Sequence, residues 1–467
     1  MISLRRTMTL SVTLFSAALL TVSHGFMPSG PAYLTNQQPS PNRRVSAIRS
    51  TRFNRRHGLL HVSTPGLLIG PKSSPAPLGT GFQSLGMPRV HRYNISPEVE
   101  EWAMWFQARD DEIEDQVVKL STGRIYHATS ANGLLWKISE GMGTKSSSFD
   151  CNTEEWWGFD TAHVGVGDVR LAQSDKVQTA AGIHMLYYFG GSYEERPAGD
   201  FYATLEGSSS SKEEDDADAE APTLTGMEVR IGVAISQDGI NWSRVEGEHA
   251  SGAVLDVGKE GEFDHLMVGW PQVVDYRGDS SFRMYYQTMM PDPELGGTRY
   301  AIGIAESADG FKWTKLGQLK LTNPEGGASE ENAFDARGIS RRHVVKLENG
   351  DDTYYMFYEG ISAAGRHAIG LATSTNGIQW ERANGGQPVL EPSASGSGQW
   401  DAKAVGSPHI VAMPNGGLRM YYAGVTEGTG ECSIGCADGH VDDLSKWTRV
   451  DLTTMTQITQ DLAKKEA

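Results

Sequence analysis

With 467 residues, the chain is long enough for one large core or two domains. Its 11 Trp, 16 Tyr and 54 Gly suit many short strands and tight turns and argue against a helical bundle. All 58 acidic residues lie at or beyond Glu98, where only 30 of the 41 Lys and Arg fall. The resulting net charge of −28 repels phosphate backbones and argues against a nucleic-acid partner.

At the N-terminus, Arg5 and Arg6 precede an apolar run from about Met8 to Val22, with small residues at Ser23 and Gly25. This pattern predicts a signal peptide over residues 1–25. Residues 26–60 are rich in Arg, Ser and Pro and contain no acid, which is transit-peptide composition. A signal peptide followed by such a segment, with Phe26 just past the cut, resembles the bipartite plastid presequence of diatoms and related algae. That resemblance implies a plastid destination. The alternative is a plain secretory peptide followed by a disordered linker. No later stretch reaches the roughly 20 apolar residues of a membrane span, so membrane insertion of the mature protein is not expected.

Beyond residue 80 one unit recurs five times. Its inner strands are predicted around Leu85–Val90, Val268–Val273 and Val405–Ile410, with Val166 and Arg341 in the same column of the second and fourth units. Aromatic strands follow, among them Trp105-Phe106, Tyr187-Tyr188, Tyr285-Tyr286, Phe357-Tyr358 and Tyr421-Tyr422. Each unit ends in a hairpin such as Ile231-Gly232-Val233-Ala234…Ser236…Asp238-Gly239…Trp242, where Asp-Gly or Asn-Gly predicts a two-residue type I′ turn. Trp136, Trp242, Trp313, Trp380 and Trp447 recur once per unit, so their expected role is packing between neighbours. Five four-stranded antiparallel units predict an all-β, five-bladed β-propeller over residues 80–450. The blades span about 80–140, 158–247, 262–318, 333–384 and 399–450. A Ser- and acid-rich insertion at 207–223 is expected to be solvated loop, and 451–467 forms a C-terminal tail. Cys151, Cys432 and Cys436 are too few for a disulfide framework and lack a second metal-ligand pair, so they predict buried free thiols and no metal or other cofactor.

These five units, with their paired aromatics and Ile-Gly-x-Ala-x-Ser-x-Asp-Gly-x-x-Trp pattern, resemble the propeller glycoside hydrolase clan of arabinanases, xylosidases, levansucrases and invertases. The resemblance covers about residues 80–450 and implies hydrolysis or transfer of a glycosyl group, with a small carbohydrate as the partner. It also implies channel acids: an Asp as base or nucleophile, a second Asp that stabilises the transition state, and a Glu as general acid, because oxocarbenium chemistry needs paired carboxylates. The clan's acid precedes the proline column of inner strands, and here that column reads Met87, Val166, Trp270, Arg341 and Ser407. The remaining candidates are Glu359 as acid and Asp264 or Asp335 as base or nucleophile. Asp168, Trp270, Arg341, His343 and His409 are the expected substrate contacts. The alternative is a catalytically degenerate propeller that binds a sugar, another small metabolite or a protein.

Overall fold

A computed structural model describes residues 64–452, apart from 75–78, 97–98, 110–122, 144–145, 173–181, 198–222, 277–280, 293, 324–332 and 348–351. The presequence, the acidic insertion apart from its last residue, and most of the tail lie outside the described residues. Five sheets form the five blades, each built on four antiparallel strands in chain order from the axis outward, and in blade four the short strand Lys320–Thr322 adds in parallel to the outer strand. The inner strands are Ser84–Ser96, His163–Ala172, Gly269–Tyr276, Ile339–Lys346 and Ala404–Ala412. The aromatic second strands are Val99–Arg109, Ile183–Gly191, Ser281–Pro291, Tyr354–Ile361 and Gly417–Val425. Third strands run Arg124–Ser130, Val229–Ser236, Thr298–Ser307, His367–Ser374 and Cys432–His440. The outer strands are Lys137–Ile138, Ser243–Val245, Thr314–Gln318, Gln379–Arg382 and Asp443–Arg449. The fold is an all-β, five-bladed propeller.

The hairpin turn differs from the type I′ expectation. Only its glycine takes a positive φ, +72° at Gly239 and +80° at Gly310, whereas type I′ needs two such residues. The Asp side chain closes the loop instead. Asp238 Oδ1 accepts from the N–H groups of Ile240 and Asn241 at 2.8 Å each, and Ser236 Oγ accepts from Gly239 N at 2.9 Å. Local side-chain acceptors satisfy the turn's backbone and so permit a longer loop.

That loop carries the blade-to-blade contact. Its glycine carbonyl accepts a hydrogen bond from an aromatic of the preceding blade: Trp105 Nε1 to Gly239 (2.6 Å), Tyr187 to Gly310 (3.1 Å), Tyr285 to Gly377 (2.7 Å) and Tyr421 to Gly133 (2.8 Å). The last of these joins blade five to blade one and closes the ring. At the remaining junction Phe357 has no donor and packs edge-on against Trp447, with centroids 5.5 Å apart. The repeat tryptophans Trp136, Trp313 and Trp380 meet Tyr421, Tyr187 and Tyr285 in the same edge-on way. A short strand, Leu67–Ile69, strengthens the closure by pairing with Cys432–His440 of blade five. Gly66 N donates to Val450 O at 2.7 Å and Trp400 Nε1 to Pro65 O at 2.9 Å. The ring therefore begins before the first recognisable repeat.

Four blades share a second device, and it corrects the catalytic expectation for Asp264 and Asp335. Each buried Asp that opens an inner strand accepts from a second-strand tyrosine: Tyr188 to Asp160, Tyr286 to Asp264, Tyr358 to Asp335 and Tyr422 to Asp401, at 2.8–2.9 Å. A base on the outer strand pairs with the same carboxylate, Arg244, Lys315, Arg382 and Arg449 respectively, at 2.7–2.8 Å. The triad ties the first, second and fourth strands of one blade together. It is a latch within the blade and not a lining of the axis. Blade one omits all three parts, with Gly81, Phe106 and Ile138 in their places, and there Phe82 packs at a tilt against Tyr126, with ring centroids 4.5 Å apart.

Removing the acid from a latch leaves a partly buried cation without its counter-charge. Asp401→Ala is expected to cost about 3–5 kcal/mol and Tyr422→Phe about 1–2 kcal/mol, read as shifts in the urea midpoint at unchanged m-value. A midpoint for Asp401→Ala equal to that of the unaltered protein would deny the latch its role.

Candidate functional site at the propeller axis

Two rings of side chains surround the axis. Every inner strand has a register shift around the same column, between Gly86 and Arg89, Val166 and Asp168, Gly269 and Gln272, Ile339 and Arg342, and Gly406 and His409. Within it Met87, Trp270 and Ser407 adopt left-handed φ values of 54°, 46° and 52°. Such values are strained for non-glycine residues and concentrate at sites where side chains must be re-aimed. These are the positions where the clan's acids would stand.

The first ring follows the bulge and reaches from each blade to the backbone of the next. Arg89 Nε donates to Gly167 O (2.6 Å), and Asp168 Oδ2 accepts from Val273 N (3.0 Å). Gln272 both donates to Val344 O (2.9 Å) and accepts from Val344 N (2.8 Å). His343 Nδ1 accepts from Ile410 N (3.0 Å), and His409 Nε2 donates to Val90 O (2.9 Å). The cycle crosses all five junctions. Asp168, His343 and His409, expected as substrate contacts, are thereby engaged in holding neighbouring blades in register. The imidazoles of His343 and His409 lie 4.1 Å apart. Burial, reinforced by the charges of Arg89 and other neighbours, pushes His343 down to about 3 and His409 well below its usual value, so both are neutral and poorly suited as bases at neutral pH.

The second ring contains Glu359. It occupies the second-strand column that pairs with the Ile of Ile-Gly-x-Ala, alongside Gln107, Phe189, Gln287 and Ala423. Each of these lies against a small residue on the next blade's inner strand. Gln287 meets Ser340, whose hydroxyl donates to Oε1 at 3.0 Å. Glu359 meets Gly406, where a Cβ would collide with the carboxylate. Glu359 is 1% exposed and fully partnered: Arg341 Nη1 lies at 3.1 Å, His367 Nδ1 donates at 2.7 Å, and Ser407 N donates at 3.0 Å. Burial raises this carboxyl, but Arg341, His367 and the Ser407 N–H more than reverse that and hold it at about 2. It is ionised at neutral pH and cannot donate a proton as a general acid in this state. Sequence reasoning missed His367, which has no counterpart in the other repeats. The signal was its place at the start of a third strand, eight residues beyond Glu359.

Trp270 does not present a free face to a sugar. Its ring is buried, 4.3 Å from Phe189, with the Arg341 guanidinium 5.1 Å from its centroid. Arg341 thus joins Glu359 and Trp270 in one cluster, while Asp264, Asp335 and Asp168 are held elsewhere. Asp335 lines a separate 910 Å³ cleft between blades three and four. Cys432 lies within electrostatic reach of Arg341 and Glu359, and burial pushes its thiol up to about 12. Among the described residues no set of three His, Cys, Asp or Glu converges to hold a metal, and no helix is long and apolar enough to cross a membrane.

No protein-family model and no curated protein matches the sequence. Solved structures do match it. A protein solved as an RGII complex and a glycoside hydrolase each superpose with a TM-score of 0.52 at 17% identity, covering 81% of the present protein and 91% of the other. An N-acetylgalactosamine deacetylase from F. plautii, in complex with blood group B trisaccharide, gives 0.51 at 12% identity, covering 82% and 96%. The likeness at these identities is one of fold. The protein shares the five-bladed propeller found among glycoside hydrolases, and it does so over nearly the whole length of those structures.

The cluster sets the acid response of the molecule. A carboxyl held near 2, against an ordinary value near 4.5, contributes stability that is complete above pH 4.5 and is lost as pH falls toward 2. The histidines act in the same direction: His343 near 3 and His91 and His127 near 4 are kept neutral in the fold, so the unfolded chain takes up protons first below about pH 6.5. Unfolding free energy is expected to fall from pH 6.5 to 3. Glu359→Gln should cost about 3–5 kcal/mol at pH 7, because it removes the carboxylate charge beside the buried Arg341, and should flatten the curve below pH 4.5. Parallel curves for the two proteins would remove Glu359 from the acid limb.

Proposed function

We propose that this protein is a carbohydrate-active propeller that recognises a saccharide and does not cleave it by paired-carboxylate chemistry. The observation that carries the reading is Glu359. It is the one acid of its ring, it is ionised, and its oxygens are taken by Arg341, His367 and Ser407. Glycoside hydrolysis needs a protonated acid and a second carboxylate across the scissile bond. Asp264 and Asp335, the intended partners, are committed to their latches. The shared fold and the trisaccharide held by one matched structure support a sugar as the ligand. The strongly acidic body favours a neutral or cationic glycan over a polyanionic one.

Glycosidase action is the second reading, favoured by the fold's occurrence in glycoside hydrolases. The two separate on a panel of neutral oligosaccharides and aryl glycosides. Recognition predicts saturable binding by calorimetry with no product from any member. Turnover that falls at least a hundredfold in Glu359→Gln, while the variant stays folded, would establish the hydrolase instead.

The place of action is proposed to be the plastid, on the strength of residues 1–60, which lie outside the described residues. Residues 1–60 fused to a fluorescent protein should deliver it to the plastid of a diatom, and loss of Phe26 should divert it. Export of the unaltered fusion to the medium would favour the secretory alternative.

A further inference from the structure

Four blades carry Pro88, Gly167, Pro271 and Pro408 at one bulge position, whereas blade four carries Arg342. This guanidinium is wholly enclosed. Its Nη2 donates to the carbonyls of Trp270 (2.7 Å) and Tyr285, while Nε and Nη1 meet no protein acceptor. Arg89, in the first axial ring, is also buried. Its Nε donates to Gly167 O (2.6 Å) and its Nη1 to Pro88 O (3.0 Å), and its Nη2 meets no protein acceptor.

The two arginines lie within electrostatic reach of one another and of a single carboxylate, Asp168. Asp168 is already bound by the N–H groups of Val169 (3.1 Å) and Val273 (3.0 Å). Among the described residues neither arginine has a carboxylate within ion-pair distance. Burial lowers Arg89 to about 10 and Arg342 to about 9, so both stay charged at neutral pH. The neighbouring histidines His343 and His409 are neutral. The two guanidiniums therefore share one carboxylate as their counter-charge and leave three buried donor nitrogens without protein acceptors.

A buried cation needs a counter-charge, and buried donors need acceptors. Water answers the second need and leaves the first. A divalent anion such as sulfate would over-neutralise the site. We propose that the propeller axis holds one small monovalent anion of halide type between Arg89 and Arg342, apart from the Glu359 cluster, which carries its own neutralising partners. The anion joins blades one and four through the centre and so acts as a structural ligand of the ring.

The test replaces gluconate by chloride at constant ionic strength while thermal unfolding is followed. A ligand bound only by the folded state gives an upward shift in melting temperature that depends on chloride concentration. The shift is expected in the unaltered protein and lost in Arg342→Gln. Should that variant fail to fold, crystals of the unaltered protein grown in bromide decide the matter. An anomalous peak between the two guanidiniums supports the site. Its absence overturns the proposal whatever the melting curves show.

Discussion

Around the axis, Arg89, Asp168, Gln272, His343 and His409 each hydrogen-bond to the main chain of the following blade, and this reach across the junction constrains nearly everything else. A four-stranded blade alone leaves both faces wet, so it is stable only between neighbours. The contacts that fix the neighbours must be polar near the axis, where inner-strand backbones converge and need partners. They are apolar further out, where tryptophan and tyrosine edges meet. Five residues of four different types perform one task in the axial ring. The task is therefore set by position and not by chemistry, and a reactive side chain at that position is occupied before any ligand arrives.

The same logic governs Glu359. Its column mates are amides, a phenylalanine and an alanine, all of which pack against the next inner strand without charge. Placing a carboxylate there required Arg341 from the inner strand and His367 from the third strand of the same blade, together with the glycine that makes room at position 406. The result is a closed electrostatic unit in blade four that leans on the Trp270–Phe189 ring contact from blades three and two. Blades two to five are thus linked on this side by one polar and aromatic cluster.

Much of this was legible in the residues. The fivefold recurrence of Trp, Gly and paired aromatics predicts the propeller because each of those residues has one geometric job per blade. The role of the repeated Asp was also written there. Where blade one loses the Asp, it loses the tyrosine hydroxyl to Phe106 and the outer-strand base to Ile138 as well. Three positions lost together describe a mutual contact, and that contact excludes Asp264 and Asp335 from the axis. The side-chain destinations within the rings were not legible. Whether Asp168 or His409 faces a ligand or a neighbour's backbone depends on a bulge that turns the strand, and no local pattern separates Met87 or Ser407 in a left-handed conformation from the same residues in a plain strand. The clasp at Leu67–Ile69 escaped for a different reason: three apolar residues carry no period.

That clasp places a condition on the order of assembly. The strand at Leu67–Ile69 is made early in synthesis, but its partner around Ile434 emerges more than 360 residues later. Through most of translation this segment has no sheet to join. Loop-closure entropy grows only slowly with length, so the wait adds little to the final equilibrium. It does leave an unsatisfied strand in the nascent polypeptide, and such edges invite pairing with other molecules. The ring thus closes only once blade five has been made, and until then the Leu67–Ile69 strand must be kept from premature company.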